Sequence, residues 1–347
     1  MPISRSSTTT TRTWSSRTTA LPTTTVPDPT SVWVPDSELE GFQELTLVLD
    51  DAAHYPGEPE QDVVATLVRR REPTRARALL YLHGWNDYFF QVELADAVDS
   101  FGYDFFALDL RRYGRSLRTG QLAGYTPDLA EYFEELDRAV EIIRGTAEEI
   151  VFMAHSTGGL IAALYLAERP DVAKGLILNS PWLELSSNGM WRPALSAAFG
   201  AVGAVSPTRA LAVSDPGFYR RSISIHEDGE WDYNLNLKGD PAFLPRVGWG
   251  TAIMRGQARV AAGLGIDVPI LMAISARSDF NRTWSEELKE ADVVLDVDSL
   301  AARAPMLGNH ITLVRIDGGK HDLMLSAKEP RARYLAEVER WLAAYAR

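Results

Sequence analysis

The chain of 347 residues has no cysteine, which excludes disulfides, thiolate nucleophiles and cysteine-bound metals together. Its six histidines, His54, His83, His155, His226, His310 and His321, show no zinc-like spacing. No apolar run approaches the roughly 20 residues that a membrane helix needs, so no integral membrane segment is expected. Basic charge is also short. Lys and Arg number 35 against 47 Asp and Glu, a net charge of −12, which is the wrong sign for nucleic acid or an anionic lipid surface. The first residues lack the apolar core of a secretory signal, so the expected setting is cytoplasmic. No internal repeat is visible.

Hydrophobic residues make up 46% of the sequence, enough for a sizeable core. They are distributed unevenly. Seventeen of residues 1–31 are Ser or Thr, with Asp28 the only acid. Such a segment cannot bury enough apolar surface to offset its ordering entropy, and it is expected to be a disordered tail. Order is expected from residue 32. Residues 44–49 and 62–69 alternate as strands and suit an antiparallel pair across Pro56-Gly57. Continuous apolar strands follow at 78–82, 103–110, 150–154 and 175–178, separated by helical spacing at 91–100 and 129–143. Strands and helices alternating in this way predict an α/β fold with a doubly wound, mostly parallel sheet.

The rhythm stops between residues 184 and 263. That interval carries many Pro and Gly, and the aromatics Trp191, Phe199, Phe218, Tyr219, Trp231, Tyr233, Phe243 and Trp249. A structureless stretch of this length inside a domain is improbable, so a cap or lid with short helices is expected. Alternation resumes with a strand at 268–274, a helix near 297–304, a strand at 311–316 and a closing amphipathic helix. The expected organisation is therefore a tail at 1–31, a core at 32–183 and 264–347, and a cap inserted at 184–263.

The most informative stretch is Ile150-Val-Phe-Met-Ala154-His155-Ser156-Thr157-Gly158-Gly159. A buried strand ends, one serine occupies the turn, and Leu160, Ile161, Leu164, Tyr165 and Leu166 then recur at helical spacing until Pro170. Small residues beside the serine suit a strained nucleophile elbow, which holds the hydroxyl at a helix N-terminus. Ala154 stands where the G-x-S-x-G pattern has glycine.

Three ordered motifs, His83-Gly84 after a strand, Asp109-Leu-Arg-Arg-Tyr-Gly114-Arg115-Ser116 and His155-Ser156-Thr157-Gly158-Gly159, resemble the α/β-hydrolase fold. More narrowly they are similar to the monoacylglycerol lipase/lysophospholipase (serine aminopeptidase-like) group. The likeness covers about 40–183 and 264–347. It implies a serine hydrolase with no metal or organic cofactor, acting on a small-molecule ester or lipid substrate.

A serine hydroxyl needs a base within hydrogen-bond reach and an acid to orient that base. In this fold the chain order is serine, acid, histidine. After Ser156 only His226, His310 and His321 remain. His226 falls in the expected cap and His310 opens a strand. His321 lies in the glycine-loosened Asp317-Gly-Gly-Lys-His321-Asp322 just past the last strand, and is the expected base. Two acids compete for the third role. Asp279 directly follows a strand, whereas Asp292 lies 29 residues before His321. That is the length needed for a helix, a strand and short loops. Asp292 is favoured with Asp279 the alternative, and 278–290 then reads as an insertion.

The oxyanion donors are expected to be backbone N–H groups, that of Thr157 after the nucleophile and, from the resemblance, that of Trp85. His83 and His155 are expected to pin their loops by hydrogen bonds. Asp109, Arg111 and Arg115 are expected to form a bracing ion-pair network. The reading is a carboxylic ester hydrolase for apolar acyl groups. An amidase, aminopeptidase or acyltransferase with the same triad, or a non-catalytic binding protein, are the alternatives.

Overall fold

The computed structural model describes residues 32–184, 206–211, 215–239 and 242–346. The tail at 1–31 and part of the expected cap, 185–205 included, lie outside these residues.

Nine strands form one sheet: β1 (Val34–Pro35), β2 (Gln43–Val48), β3 (Val64–Arg69), β4 (Arg77–Leu82), β5 (Asp104–Asp109), β6 (Glu149–His155), β7 (Gly175–Asn179), β8 (Ile270–Ser275) and β9 (Ile311–Ile316). Their spatial order is β1-β2-β3-β5-β4-β6-β7-β8-β9. The first three strands pair antiparallel, as does β3 with β5, and every later pairing is parallel. This is the doubly wound, mostly parallel sheet that the strand–helix rhythm predicts.

The apolar runs of β4 to β8 are buried on both faces because helices cover both sides. Successive side chains of β4 divide between the two layers: Leu80 and Leu82 enter one core, Leu79 and Tyr81 the other. Helices α2 (Phe133–Arg144) and α3 (Ser156–Glu168) pack on the first face. α2 buries Leu136, Val140 and Ile143, one stripe of its surface. Helix α1 (Val92–Ser100), with Leu94 and Val98, covers the second face. Each fully buried leucine contributes about 1.5–3 kcal/mol by leaving water.

Between β7 and β8, α4 (Phe218–Ile223) and α5 (Val247–Ala261) are described. Ala252, Ile253 and Val260 of α5 join the core of the first face. A Cβ at Gly256 would lie 2.9 Å from Leu129 and 3.0 Å from Leu164, so α5 sits tightly on the sheet-covering layer. Residues 215–239 lie over the loop after β4, through a cluster of Tyr88, Phe90, Ile223, Tyr233 and Leu325. Helix α6 (Val297–Arg303) is N-capped by Asp296, which accepts from the Asp298 N–H. Helix α7 (Lys328–Tyr345) closes the chain and buries Tyr334, Val338, Trp341 and Leu342.

The winding direction reverses at β4, which has β5 on one side and β6 on the other. In open α/β sheets the crevice beyond the carboxyl ends at such a reversal is where ligands bind. His83-Gly84-Trp85 and Ser156 leave the sheet at that edge.

Candidate active site

Strand β6 ends at His155, and α3 begins at the next residue. Ser156 therefore turns the chain by itself, at φ +50°, a left-handed conformation that a non-glycine residue rarely adopts. The turn brings α3 hard against β4. A Cβ at Gly158 would lie 2.3 Å from the His83 carbonyl oxygen and 3.0 Å from that of Leu82, so only glycine fits there.

The Ser156 hydroxyl meets His321 from the loop after β9, with Nε2 3.1 Å from Oγ. Nδ1 of His321 is 2.9 Å from Asp292 Oδ2. The other Asp292 oxygen accepts the N–H groups of Val294 (2.8 Å) and Leu295 (2.7 Å). These bonds hold the carboxylate in place against the imidazole. The three side chains are buried, with Ser156, His321 and Asp292 exposed by 7%, 3% and 0%. A charge on such a set is poorly screened by water and strongly felt by its neighbours.

Asp279 is not part of this chain of bonds. Its carboxylate pairs with Arg277 at 3.1 Å and accepts the Asn281 N–H. Residues 279–291 form an excursion that closes on itself: Ser278 bridges Asp292, the Asp279 N–H donates to the Asp292 carbonyl, and the Asp292 N–H to that of Arg277.

Of the two expected oxyanion donors, Thr157 is in the first turn of α3, where N–H groups have no intrahelical acceptor. Gly84 packs its backbone against the elbow, since a Cβ there would be 3.1 Å from that of Ser156. Trp85 follows it. Its indole lies tilted against that of Trp249 at 3.8 Å between ring centres and meets Phe243 and Tyr113 edge-on. Trp182 lies against Trp249 and donates its N–H to the Ser156 carbonyl at 2.9 Å. An aromatic wall thus flanks Ser156.

A family model described as "Serine aminopeptidase, S33" matches residues 73–326. The chain belongs to the serine aminopeptidase family. It is a lipase-like α/β hydrolase and an enzyme of the serine hydrolase type. The human (lyso)-N-acylphosphatidylethanolamine lipase is 24% identical over 275 residues, which span 68% of this chain and 75% of that protein. Lysophospholipase L2 of Escherichia coli is 28% identical over 141 residues, 38% of this chain and 39% of that one. Among solved structures, the monoacylglycerol lipase of Paleococcus ferrophilus superposes with a TM-score of 0.61 at 17% identity, over 82% of this chain and all of that one. At that identity the superposition speaks for the fold alone.

In this serine aminopeptidase family member, the remaining expected residues have separate jobs. His83 braces the loop after β4: Nε2 accepts the Leu110 N–H at 3.1 Å, which leaves Nδ1 as the donor to the Gly84 carbonyl at 2.8 Å. His155 differs from expectation. Neither of its ring nitrogens has a hydrogen-bond partner, although the ring is buried. Burial, then the neighbouring His321, holds it well below the usual imidazole range and so neutral. Asp109 pairs with Arg115 at 2.9 Å and accepts the Phe89 N–H, bracing the loop. Arg111 instead turns to Glu135 and Glu134 of α2, because those acids project from a helix face that sequence spacing alone does not aim. His54, His226 and His310 are exposed.

Sequence reasoning missed the acids nearest His155. Asp87 and Asp322 are both buried, and together with His155 they form a group whose ligand-type atoms lie within 4.8 Å of one another. The Lys238 ammonium on Asp87 supplies positive charge there. Both acids lie close to residues that the motifs single out, Asp87 four positions after His83 and Asp322 next to His321. Tyr219 of α4, one of the aromatics of the expected cap, stands with its ring edge-on over that of His321 at 5.4 Å. No helix among the described residues is long and apolar enough to cross a membrane.

Proposed function

We propose that this enzyme hydrolyses carboxylic esters with an apolar acyl group, of the monoacylglycerol or lysophospholipid kind, through an acyl-enzyme. Ser156 is the nucleophile, His321 the base and Asp292 the acid that orients it. The observation that carries this reading is the unbroken chain Ser156 Oγ–His321–Asp292, with bonds of 3.1 and 2.9 Å.

As Oγ attacks the ester carbonyl, its proton passes to His321 Nε2, and Asp292 stabilises the imidazolium. Negative charge moves to the carbonyl oxygen, which the Trp85 and Thr157 N–H groups receive. Each such donor lowers the barrier by about 3 kcal/mol. The C–O bond to the alcohol breaks as Nε2 returns its proton to the leaving oxygen. Water then repeats the sequence at the acyl-enzyme and frees the acid and Ser156. These steps draw on side chains and backbone alone.

The aromatic wall of Trp85, Trp249, Phe243 and Trp182 supports an apolar acyl group over a charged one. An aminopeptidase must hold the substrate ammonium with a carboxylate. Here Asp87 is engaged by Lys238, and Asp322 by Asn179 and the Met324 N–H. That favours ester over aminoacyl substrate. A cytoplasmic setting belongs to the same reading and rests on the sequence.

The test is a series of p-nitrophenyl esters of graded acyl length beside aminoacyl p-nitroanilides. Turnover of the esters with an optimum above acetyl, and none of the anilides, is expected. Preferred cleavage of an anilide would move the assignment to an aminopeptidase. Acyl transfer to added alcohol without hydrolysis would make it an acyltransferase, and no turnover with no labelling by a fluorophosphonate would make it a binding protein.

A further inference from the structure

Beside the His321 imidazole lies a buried polar cluster that the catalytic steps do not use. Asp87 and Asp322 each place an Oδ2 atom 3.9 Å from His155 Nδ1. His155 in turn lies 4.9 Å from His321, ring centre to ring centre. Asp322 Oδ1 accepts from Asn179 Nδ2 (2.7 Å) and the Met324 N–H (2.9 Å). Asp87 Oδ1 accepts the Tyr88 N–H at 3.0 Å and the ammonium of Lys238. Of these two buried carboxylates, Asp87 pairs with a buried ammonium, and that cation comes from the segment lying over the loop after β4.

The same segment grips the loop that carries the proposed oxyanion donor. Asn86 Nδ2 donates to the Gly239 carbonyl at 3.1 Å. The Asn234 N–H donates to Tyr88 Oη at 2.9 Å. The Lys238 ammonium also lies 5.0 Å from the Phe90 ring centre and 5.5 Å from that of Tyr233. Residues 86, 87 and 88 are therefore tied one after another to residues 234–239, directly after Trp85.

We propose that Lys238 is a positioning residue, which through Asp87 holds the oxyanion loop in place and cancels one of two buried carboxylate charges beside the His155–His321 pair. The proposal rests on the roles given above to Trp85 and His321. Its electrostatic half follows from the groups that face the two imidazoles. Asp292 comes from the loop after β8, Asp322 and Lys320 from the loop after β9, Asp87 from the loop after β4, and Tyr219 from α4. Lys320 turns its ammonium to the Ser222 carbonyl at 2.5 Å. Tyr219 is a phenol that burial keeps neutral. Among Asp87, Asp322 and Lys238 the native net charge is one negative unit. Removing Lys238 leaves two, which favours a protonated imidazole, and removing the Asp87 charge leaves none, which disfavours it.

Two single substitutions therefore push the enzyme in opposite directions, which a general loosening of the fold would not do. With the preferred p-nitrophenyl ester, kcat and KM are measured across pH 5 to 9 for the intact protein, Lys238→Met, Asp87→Asn and the double variant. Lys238→Met is expected to lower kcat about ten- to a hundredfold with little change in KM, because a slightly misplaced oxyanion donor costs that much. It should also move the acidic limb of kcat/KM to higher pH by about 1. Asp87→Asn should move that limb to lower pH. The double variant, with the native net charge, should return the limb to its original position while kcat stays low.

An unmoved limb and native kcat in Lys238→Met would overturn the proposal, as would limbs that move the same way in both single variants. Should Lys238→Met fail to fold, the limb of Asp87→Asn, expected below the native position, and that of the double variant, expected at the native position, decide between the same two results. Failure of the underlying functional reading shows separately, as absence of fluorophosphonate labelling at Ser156 in the unsubstituted protein, and it would overturn both.

Discussion

Replacing Asp292 by asparagine removes one proton acceptor and leaves every neighbouring atom in place. The outcome follows from the two backbone bonds that the residue accepts. The N–H groups of Val294 and Leu295 both point at Oδ1, at 2.8 and 2.7 Å. An asparagine must keep its carbonyl oxygen there, so its NH2 falls where Oδ2 stood, 2.9 Å from His321 Nδ1. An NH2 can only donate, so Nδ1 becomes the acceptor and the imidazole proton moves to Nε2. Nε2 then faces the Ser156 hydroxyl as a donor and cannot take its proton. A wrong tautomer costs about 10⁴ in kcat in serine protease triads, equivalent to about 5.5 kcal/mol of barrier. Alanine would be a poorer probe, since it also leaves the Val294 N–H and the buried Leu295 N–H without their acceptor, the latter at a cost of about 1–3 kcal/mol. The assay is ester turnover and fluorophosphonate labelling rate, with the melting temperature as the control for folding. Asp279→Asn, which alters only a partly exposed pair with Arg277, should keep most activity. A folded Asp292→Asn enzyme with turnover near the native rate would refute the reasoning.

Three further outcomes are expected. Gly158→Ala forces a Cβ to within 2.3 Å of the His83 carbonyl, a backbone atom that cannot swing away; stability should fall by about 1–3 kcal/mol in urea titrations, and ester turnover with it. Burial depresses the His155 pKa in the native state, so below about pH 6.5 the unfolded chain takes up a proton that the native chain refuses. The stability present above that pH is lost as pH falls, by up to about 1.4 kcal/mol per pH unit, and His155→Gln should remove this part of the loss. The Asp322 carboxyl, which burial pushes up, acts in the opposite sense as pH falls, so the difference between the two proteins is the readout. Trp249→Ala opens the wall beside Trp85 and should shift the ester preference to longer or bulkier acyl groups, read from kcat/KM across the acyl series.

The fold was legible because it depends on local periodicity. Continuous apolar strands at 78–82, 103–110 and 150–154 need cover on both faces, and the helical segments between them supply it. The positions that meet at the carboxyl edge were legible for a different reason. Ser156, Asp292 and His321 each sit in a turn whose glycines or spacing single it out, and chain length favoured Asp292 over Asp279. What sequence did not reveal are pairings between distant elements. Arg111 finds Glu135 at 2.5 Å because a strand end happens to face a helix stripe. Lys238 reaches Asp87 across 151 residues, from a segment with no periodic pattern to anchor a prediction. The unpartnered His155 shows the same limit, since a histidine beside a serine reads as a brace until its surroundings are known.

The most direct test of the central claim is the site of covalent labelling. The protein is treated with a fluorophosphonate, its intact mass is measured, and the modified peptide is sequenced by fragmentation, with Ser156→Ala in parallel. One adduct per chain on Ser156, and none on the variant, is the result predicted by a hydroxyl 3.1 Å from His321 Nε2. An adduct on another serine, or labelling that persists in Ser156→Ala, would contradict it.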